Sequence, residues 1–335
     1  MNLKTIAERA GVSTATVSNV INGNHHKVSP ETIEKVQKII EEADYRPSAT
    51  ARSLASRESR IIGVVIPNLP GDENFGSDPY ACQMLALLER YVRKQGYYLM
   101  LRSVGQFREM IPVFSGWNVD GAILLGAFRE EVEEIEQRLN IPTVYIDTYA
   151  QNLGIVNVGI DDYKGGFLSA RYLLGKGHRR IAFVSPNINS PGVIQERYRG
   201  FCAALAEKRS PLQPDEIFEA ETFPEQGIEI GKKIAFAKPG FTAVAAMSDT
   251  LAMGLMVGLR LSGLNVPQDI SVIGFDNIRA CRFLSPPLTT IAQNLEEKAE
   301  KAGQHLFQMI QTKKKMTVSE VLDVELIERQ SVRKI

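Results

Sequence analysis

From Leu3 to Asn24 the chain reads LKTIAERAGVSTATVSNVINGN, two short amphipathic stretches about a glycine, and no other stretch restricts the possible folds as strongly. On a helix beginning after Ser13, residues Ala15, Ser18, Asn19 and Asn22 share one side, while Val17, Val20 and Ile21 share the other. The apolar side is suited to dock on the first helix; the small polar side stays free. Gly11 supplies the positive φ that ends the first helix near Ala10, and the Ser13 hydroxyl caps the second. A short helix that presents small hydrogen-bonding side chains from a rigid prop is what entry into a DNA major groove requires. Ser13, Thr14, Ala15, Thr16, Ser18, Asn19 and Asn22 are therefore the candidate DNA contacts of a helix-turn-helix.

Ser29-Pro30-Glu31-Thr32 reads as a further helix start, with a hydroxyl N-cap, proline at N1 and a carboxylate near the positive end of the dipole. Ile33, Val36, Ile40 and Ala43 recur on one face, which closes a three-helix core before Tyr45-Arg46-Pro47 stops the helix. The next segment, SATARSLAS, holds mostly small residues and one large apolar side chain, Leu54, and buries too little to be a helix by itself. Residues 1–47 thus read as a headpiece and 48–60 as a hinge.

From Ile61 onward short apolar runs alternate with longer amphipathic stretches, the pattern of a parallel sheet with helices on both faces. Strands are expected at Ile61–Pro67, Tyr97–Ser103, Gly121–Leu125, Thr143–Asp147, Arg180–Ser185, Ala243–Ser248 and Ile270–Phe275. Helices are expected at Tyr80–Gln95, Lys164–Gly175, Glu196–Lys208, Gln226–Phe236 and Thr250–Ser262. These are too many strands for one compact sheet. Two similar lobes explain them better, one from 61–161 plus about 292–320 and the other from 162–291 plus about 321–335.

Composition excludes several classes. The 335 residues carry a formal net charge of zero, with +2 on the first 60 residues and −2 on the rest, which is weak evidence for DNA contact. Cys82, Cys202 and Cys281 are odd in number and widely spaced, as expected of reduced, mostly buried thiols in a cytoplasmic chain. No apolar signal core or membrane-length segment is present. His25 and His26 have no third ligand nearby, so no metal site is expected; no phosphate-loop motif or nucleophile with its base points to an enzyme or a cofactor.

VSTATVSNVINGN followed by YRPSATARSLASRES resembles the headpiece and hinge of the lactose-repressor (LacI-type) family. Ordered landmarks extend the resemblance over the whole chain, among them Arg197-Tyr198-Arg199-Gly200-Phe201, Ser248-Asp249-Thr250 and Gly274-Phe275-Asp276-Asn277. The resemblance implies an all-α helix-turn-helix headpiece on an α/β, two-lobed periplasmic-binding-protein-like core with parallel sheets. It implies a homodimeric regulator, most often a repressor, that binds a pseudo-palindromic operator and answers a small effector, a sugar or sugar derivative. In the hinge, Leu54 matches a leucine that wedges open a minor-groove base step, and Ala51 the small residue that lets paired hinge helices approach. Arg197 and Asp276 match the recurrent effector contacts; Asp161, Ser248, Phe223 and Gln293 are second-rank matches, and Tyr80 and Phe75 offer an apolar wall. Asp249 is expected to cap the helix after it. Two other readings stay open: a regulator whose co-signal is a phosphorylated protein, and a plain soluble sugar-binding protein. The stretch between Ser103 and Val119 departs from the family by being short and by holding Pro112, which is expected to end or kink a helix. Trp117 is expected in the core. No heptad tail follows Val332, so a dimer is expected rather than a tetramer.

Overall fold

The computed structural model describes residues 2–21, 23–43, 45, 58–68, 75–150, 152–237 and 240–335, with Phe75 given by its backbone alone. The chain divides into two compact units, residues 1–59 and 60–335.

The first unit holds α1 (Leu3–Ala10), α2 (Thr14–Ile21) and α3 (Pro30–Glu42). Asn2 caps α1 by accepting from the Thr5 amide, and Gly11, at φ +66°, ends it. Ser13 Oγ accepts from the Thr16 amide at 3.1 Å, which caps the first turn of α2. Ile6, Ala7, Ala10, Val17, Val20, Val36 and Ile39 form a miniature core. Two details differ from expectation. The Ser29 hydroxyl bonds the Thr32 hydroxyl and caps no backbone amide, so Pro30, whose ring nitrogen needs no partner, begins α3. The buried stripe of α3 is Val36 and Ile39, and Ala43 lies beyond the helix.

The second unit contains two six-stranded sheets of the same connectivity. One runs in the order β11 (Val318–Leu322), β5 (Val156–Ile160), β4 (Thr143–Ile146), β3 (Gly121–Leu125), β1 (Ile61–Pro67), β2 (Tyr98–Val104). The other runs β12 (Val324–Ile327), β10 (Thr289–Gln293), β9 (Ser271–Asp276), β8 (Ala243–Ala246), β6 (Ile181–Ser185), β7 (Ile217–Glu219). Every pair is parallel except β10 with β12. The inner strands are apolar without alternation because helices cover both faces. On the first sheet, α4 (Pro79–Lys94) and α11 (Leu295–Thr312) cover one face, and α5 (Met110–Trp117) and α6 (Arg129–Arg138) the other. On the second, α7 (Asp162–Gly175) pairs with α8 (Val193–Glu207), and α9 (Pro224–Phe236) with α10 (Asp249–Leu261). The chain crosses between lobes three times: after β5, after β10, and between β11 and β12.

All seven expected strands are present, and β5, β7, β10, β11 and β12 complete the sheets. Pro112 neither ends nor kinks a helix, because it falls in the first turn of α5, where its missing N–H has no intrahelical partner. That helix has only eight residues and turns Met110, Ile111 and Phe114 inward, which leaves Trp117 at its last position 62 % exposed, outside the core. Of the cysteines only Cys281 is buried; Cys82 and Cys202 are half-buried.

Candidate functional site

Ligands of open αβ sheets sit beyond the carboxyl ends of the strands, and here those ends carry a continuous chain of buried polar groups that joins the lobes. Its half in the lobe of the second sheet (the C-lobe, the lobe of the first sheet being the N-lobe) starts where α7 crosses α8. A Cβ on Gly166 would stand 1.9 Å from the Arg197 carbonyl oxygen, and one on Gly200 1.8 Å from that of Tyr163, so the two helices touch backbone to backbone. The close crossing brings Asp162, the first residue of α7, against Arg197 in the second turn of α8. Arg197 Nε donates to Asp162 Oδ1 at 2.7 Å and Nη1 to the Met247 carbonyl at 2.8 Å, while the guanidinium lies 3.7 Å from the Phe275 ring centroid. Asp276 Oδ1 stands 3.9 Å from Arg197 Nη1. Burial disfavours the guanidinium, but Asp162 and Asp276 outweigh it and raise the Arg197 pKa. Burial also pushes the Asp276 carboxyl well above its ordinary value, against the pull of Arg197.

The chain continues into the other lobe. Gln293, the last residue of β10, donates from Nε2 to Asp276 Oδ1 at 2.6 Å and accepts at Oε1 from Lys298 Nζ at 2.6 Å. Lysine only donates, so the carboxamide has one allowed orientation, its NH2 toward Asp276. Lys298 is fully buried on α11 and pairs with Asp147 at 2.7 and 2.9 Å, and the Tyr80 hydroxyl donates to Asp147 Oδ2 at 2.5 Å. Tyr80 packs against the cores of both lobes. Burial and the Asp147 charge hold its phenol well above its ordinary pKa. Asp147 and Asp276 both have positive φ, 56° and 114°, a cost that residues at binding sites carry more often than others.

Of the residues chosen from sequence, Arg197, Asp276, Gln293 and Tyr80 belong to this chain. Asp161 instead caps α7 through the Lys164 amide, and the residue beside Arg197 is its neighbour Asp162. Ser248 caps α10 by accepting from the Leu251 amide, a role expected of Asp249. Asp249 turns inward and accepts from the Ile278 amide and the Thr290 hydroxyl, which ties α10 to β10. Phe223, half-buried, precedes α9 without a side-chain cap. Phe75 opens a short 3-10 turn. Asp162, Lys298 and Tyr149, whose hydroxyl donates to Asp162 Oδ2 at 2.7 Å, are not among the residues read from sequence, and Asp147 is read there only as a polar strand end, not as an effector contact. A lysine in register with Leu295, Ala302 and Leu306 on the apolar stripe of α11 was the available signal. Among the described residues, no cluster of His, Cys, Asp and Glu is arranged to hold a metal.

In the headpiece, Val17 and Val20 face the core of α1 and α3, so the other side of α2 is open. Ser13, Thr14 and Ala15 are exposed; Thr16, Ser18 and Asn19 are half-buried. Asn22, Ala51 and Leu54 lie outside the described residues.

Residues 2–48 match the lacI family of bacterial regulatory proteins, and residues 170–332 the periplasmic binding protein-like domain. The chain is 33 % identical over 334 residues to the ribose operon repressor of Haemophilus influenzae, with 98 % of each chain covered. It is 33 % identical over 339 residues to the HTH-type transcriptional repressor PurR of Vibrio parahaemolyticus, with 99 % of each covered. Among solved structures, the lac repressor dimer bound to operator and the anti-inducer ONPF superposes with a TM-score of 0.87 at 26 % identity, over 99 % of each chain. A helix-turn-helix headpiece, a two-lobed core and full-length identity to two repressors agree, and the chain belongs to the LacI family of DNA-binding transcriptional regulators.

Proposed function

We propose that this protein is a homodimeric repressor of a pseudo-palindromic operator, controlled by a sugar-like effector held between its lobes at Arg197 and Asp276. The observation that carries the reading is the pairing of these two buried groups at the strand ends. Asp276 Oδ1 already accepts from Gln293, and its other oxygen is left for a hydroxyl donor, while Arg197, whose Nε and Nη1 are held by Asp162 and the Met247 carbonyl, offers its Nη2 to a hydroxyl acceptor. Adjacent hydroxyls of a sugar satisfy both, and the ribose operon repressor among its relatives supports that chemistry.

Thr14, Ala15 and Asn19 contact base edges in the major groove, and Leu54 wedges the minor groove between half-sites. A second copy covers the groove of about 240 Å³ lined by Met253, Met256, Val257, Leu264 and Leu284, whose neighbour Phe283 is 75 % exposed.

Gel-shift titrations on operator DNA with and without sugars test the reading. Arg197→Ala and Asp276→Ala each abolish the effector response, a loss of about 1–3 kcal/mol of grip, because a ligand shifts two states only through unequal affinity for them. Basal operator binding survives if the effector is an inducer. If it is a corepressor, the variants bind DNA in its presence only as well as the parent does in its absence. Variants that answer sugars like the parent overturn the assignment.

A further inference from the structure

A second polar cavity, of about 380 Å³, opens where the lobes meet and shares only Gln293 with the chain of buried groups. Its walls come from both lobes: Gln83 of α4 on one side, Asn277, Arg279 and Arg282 on the other, and the crossing segment at Asn294 and Glu296 between them. Arg279 and Arg282 are the first and last residues of a 3-10 turn. In that geometry residues three apart eclipse, so both guanidinium groups leave the turn on the same side. Neither is paired with a carboxylate among the described residues, and the one acid of the lining, Glu296, lies 3.2 Å from Arg90. Asn277 Oδ1 accepts from Arg329 at 2.6 Å, which orients its NH2 as a free donor. Two like charges on one side of a turn, beside amide donors and with the lining's one acid turned to Arg90, make a concave site suited to an anion, and the guanidinium fork matches phosphate geometry.

We propose that this cavity is a binding site for a phosphate-bearing small molecule, distinct from the effector cleft. Bound there, a phosphate bridges Gln83 of one lobe to Arg279 and Arg282 of the other. Asp276 and Asn277 are consecutive residues with φ of 114° and 60°, one belonging to each site, so both ligands act on one strained turn.

The test titrates full-length protein with inorganic phosphate, ribose 5-phosphate and D-ribose by calorimetry, beside Arg279→Gln/Arg282→Gln. Both arginines are exposed, so the double variant keeps the parent's melting temperature without ligand. The expected result is that one or both phosphate compounds bind the parent, weaken as salt is raised, and lose about tenfold or more in the double variant, whereas D-ribose behaves the same in both. The tighter of the two phosphates identifies the source as the free ion or an ester. No phosphate binding to the parent, or equal binding to the double variant, overturns the proposal. Arg197→Ala retains phosphate binding; a failure of the effector reading shows separately, as an Arg197→Ala variant that still answers sugars.

Discussion

The two lobes have the same strand order and are fastened by different means. In the C-lobe, the helix pairs meet backbone to backbone: α7 and α8 at Gly166 and Gly200, α9 and α10 at Gly254 and Gly258, where an added Cβ would stand 2.1 Å from the carbonyl oxygens of Pro224 and Ile228. In the N-lobe, glycines receive large side chains, the Phe114 ring against Gly63 and the Tyr91 ring against Gly303, as Gly165 does in the C-lobe with the Phe275 ring. Among the described residues, however, no helix pair of the N-lobe meets backbone to backbone at a glycine. Backbone contacts leave no rotamer to adjust, whereas a ring can turn. The rigid lobe carries Arg197 and Asp276, and the adjustable lobe presents Tyr80, Lys298 and Asp147. The directional contacts Arg197 and Asp276 thus stand on helices and strands locked by backbone contact, which is the support a binding site needs.

The largest effect is expected from the N-lobe's buried pair. Lys298→Met keeps the length of the side chain but leaves Asp147 with the Tyr80 hydroxyl as its remaining partner, and should cost about 3 kcal/mol in chemical denaturation. Adding Asp147→Asn should recover most of that loss. A single variant as stable as the parent would show that solvent reaches Asp147 and that this wall is not dry.

Gly200→Ala comes next, at about 2–3 kcal/mol or failure to fold, because the new methyl meets the Tyr163 carbonyl and neither helix can retreat without moving Arg197. Gly303→Ala, which meets the Tyr91 ring, should cost about 1 kcal/mol after the ring shifts. Equal losses at the two positions would remove the distinction between the lobes.

Much of this architecture is readable from the sequence, and the unread parts have physical reasons. Strands buried on both faces announce themselves as unbroken apolar runs, whereas β11, with its half-exposed and exposed residues Val318, Ser319, Glu320 and Val321, sits at a sheet edge and reads as an ordinary charged stretch. Arg197 and Asp276 are findable because the motifs that hold them, RYRGF and GFDN, match those of the family. The resemblance points to Asp161, whereas the close crossing set by Gly166 and Gly200 brings its neighbour Asp162 against Arg197. Trp117 shows the converse: a large aromatic residue suggests burial, and the shortness of α5 overrides it.

The smallest effect is a pH dependence within the lobe of the second sheet. His178, in the loop before β6, is buried with Nε2 3.1 Å from the Arg333 carbonyl and Nδ1 3.1 Å from Thr242 Oγ1. A carbonyl only accepts, so Nε2 carries a proton, and burial disfavours a second one on Nδ1. Burial lowers its pKa from the ordinary 6.5. The unfolded chain therefore takes up a proton as pH falls below about 6.5 while the folded chain does not. The contribution is fully present above that pH and shrinks below it, by at most about 1.4 kcal/mol per unit, until the folded pKa is reached. Asp249 acts with the opposite sign: burial raises its carboxyl to about 6, so its folded state is favoured as pH falls below that value. His178→Gln removes the first and leaves the second. The stability difference between parent and variant should thus hold from pH 7.5 to about 6.5 and narrow from there to 5.5, and curves that stay parallel below pH 6.5 would mean that the imidazole titrates alike in the folded and unfolded chain.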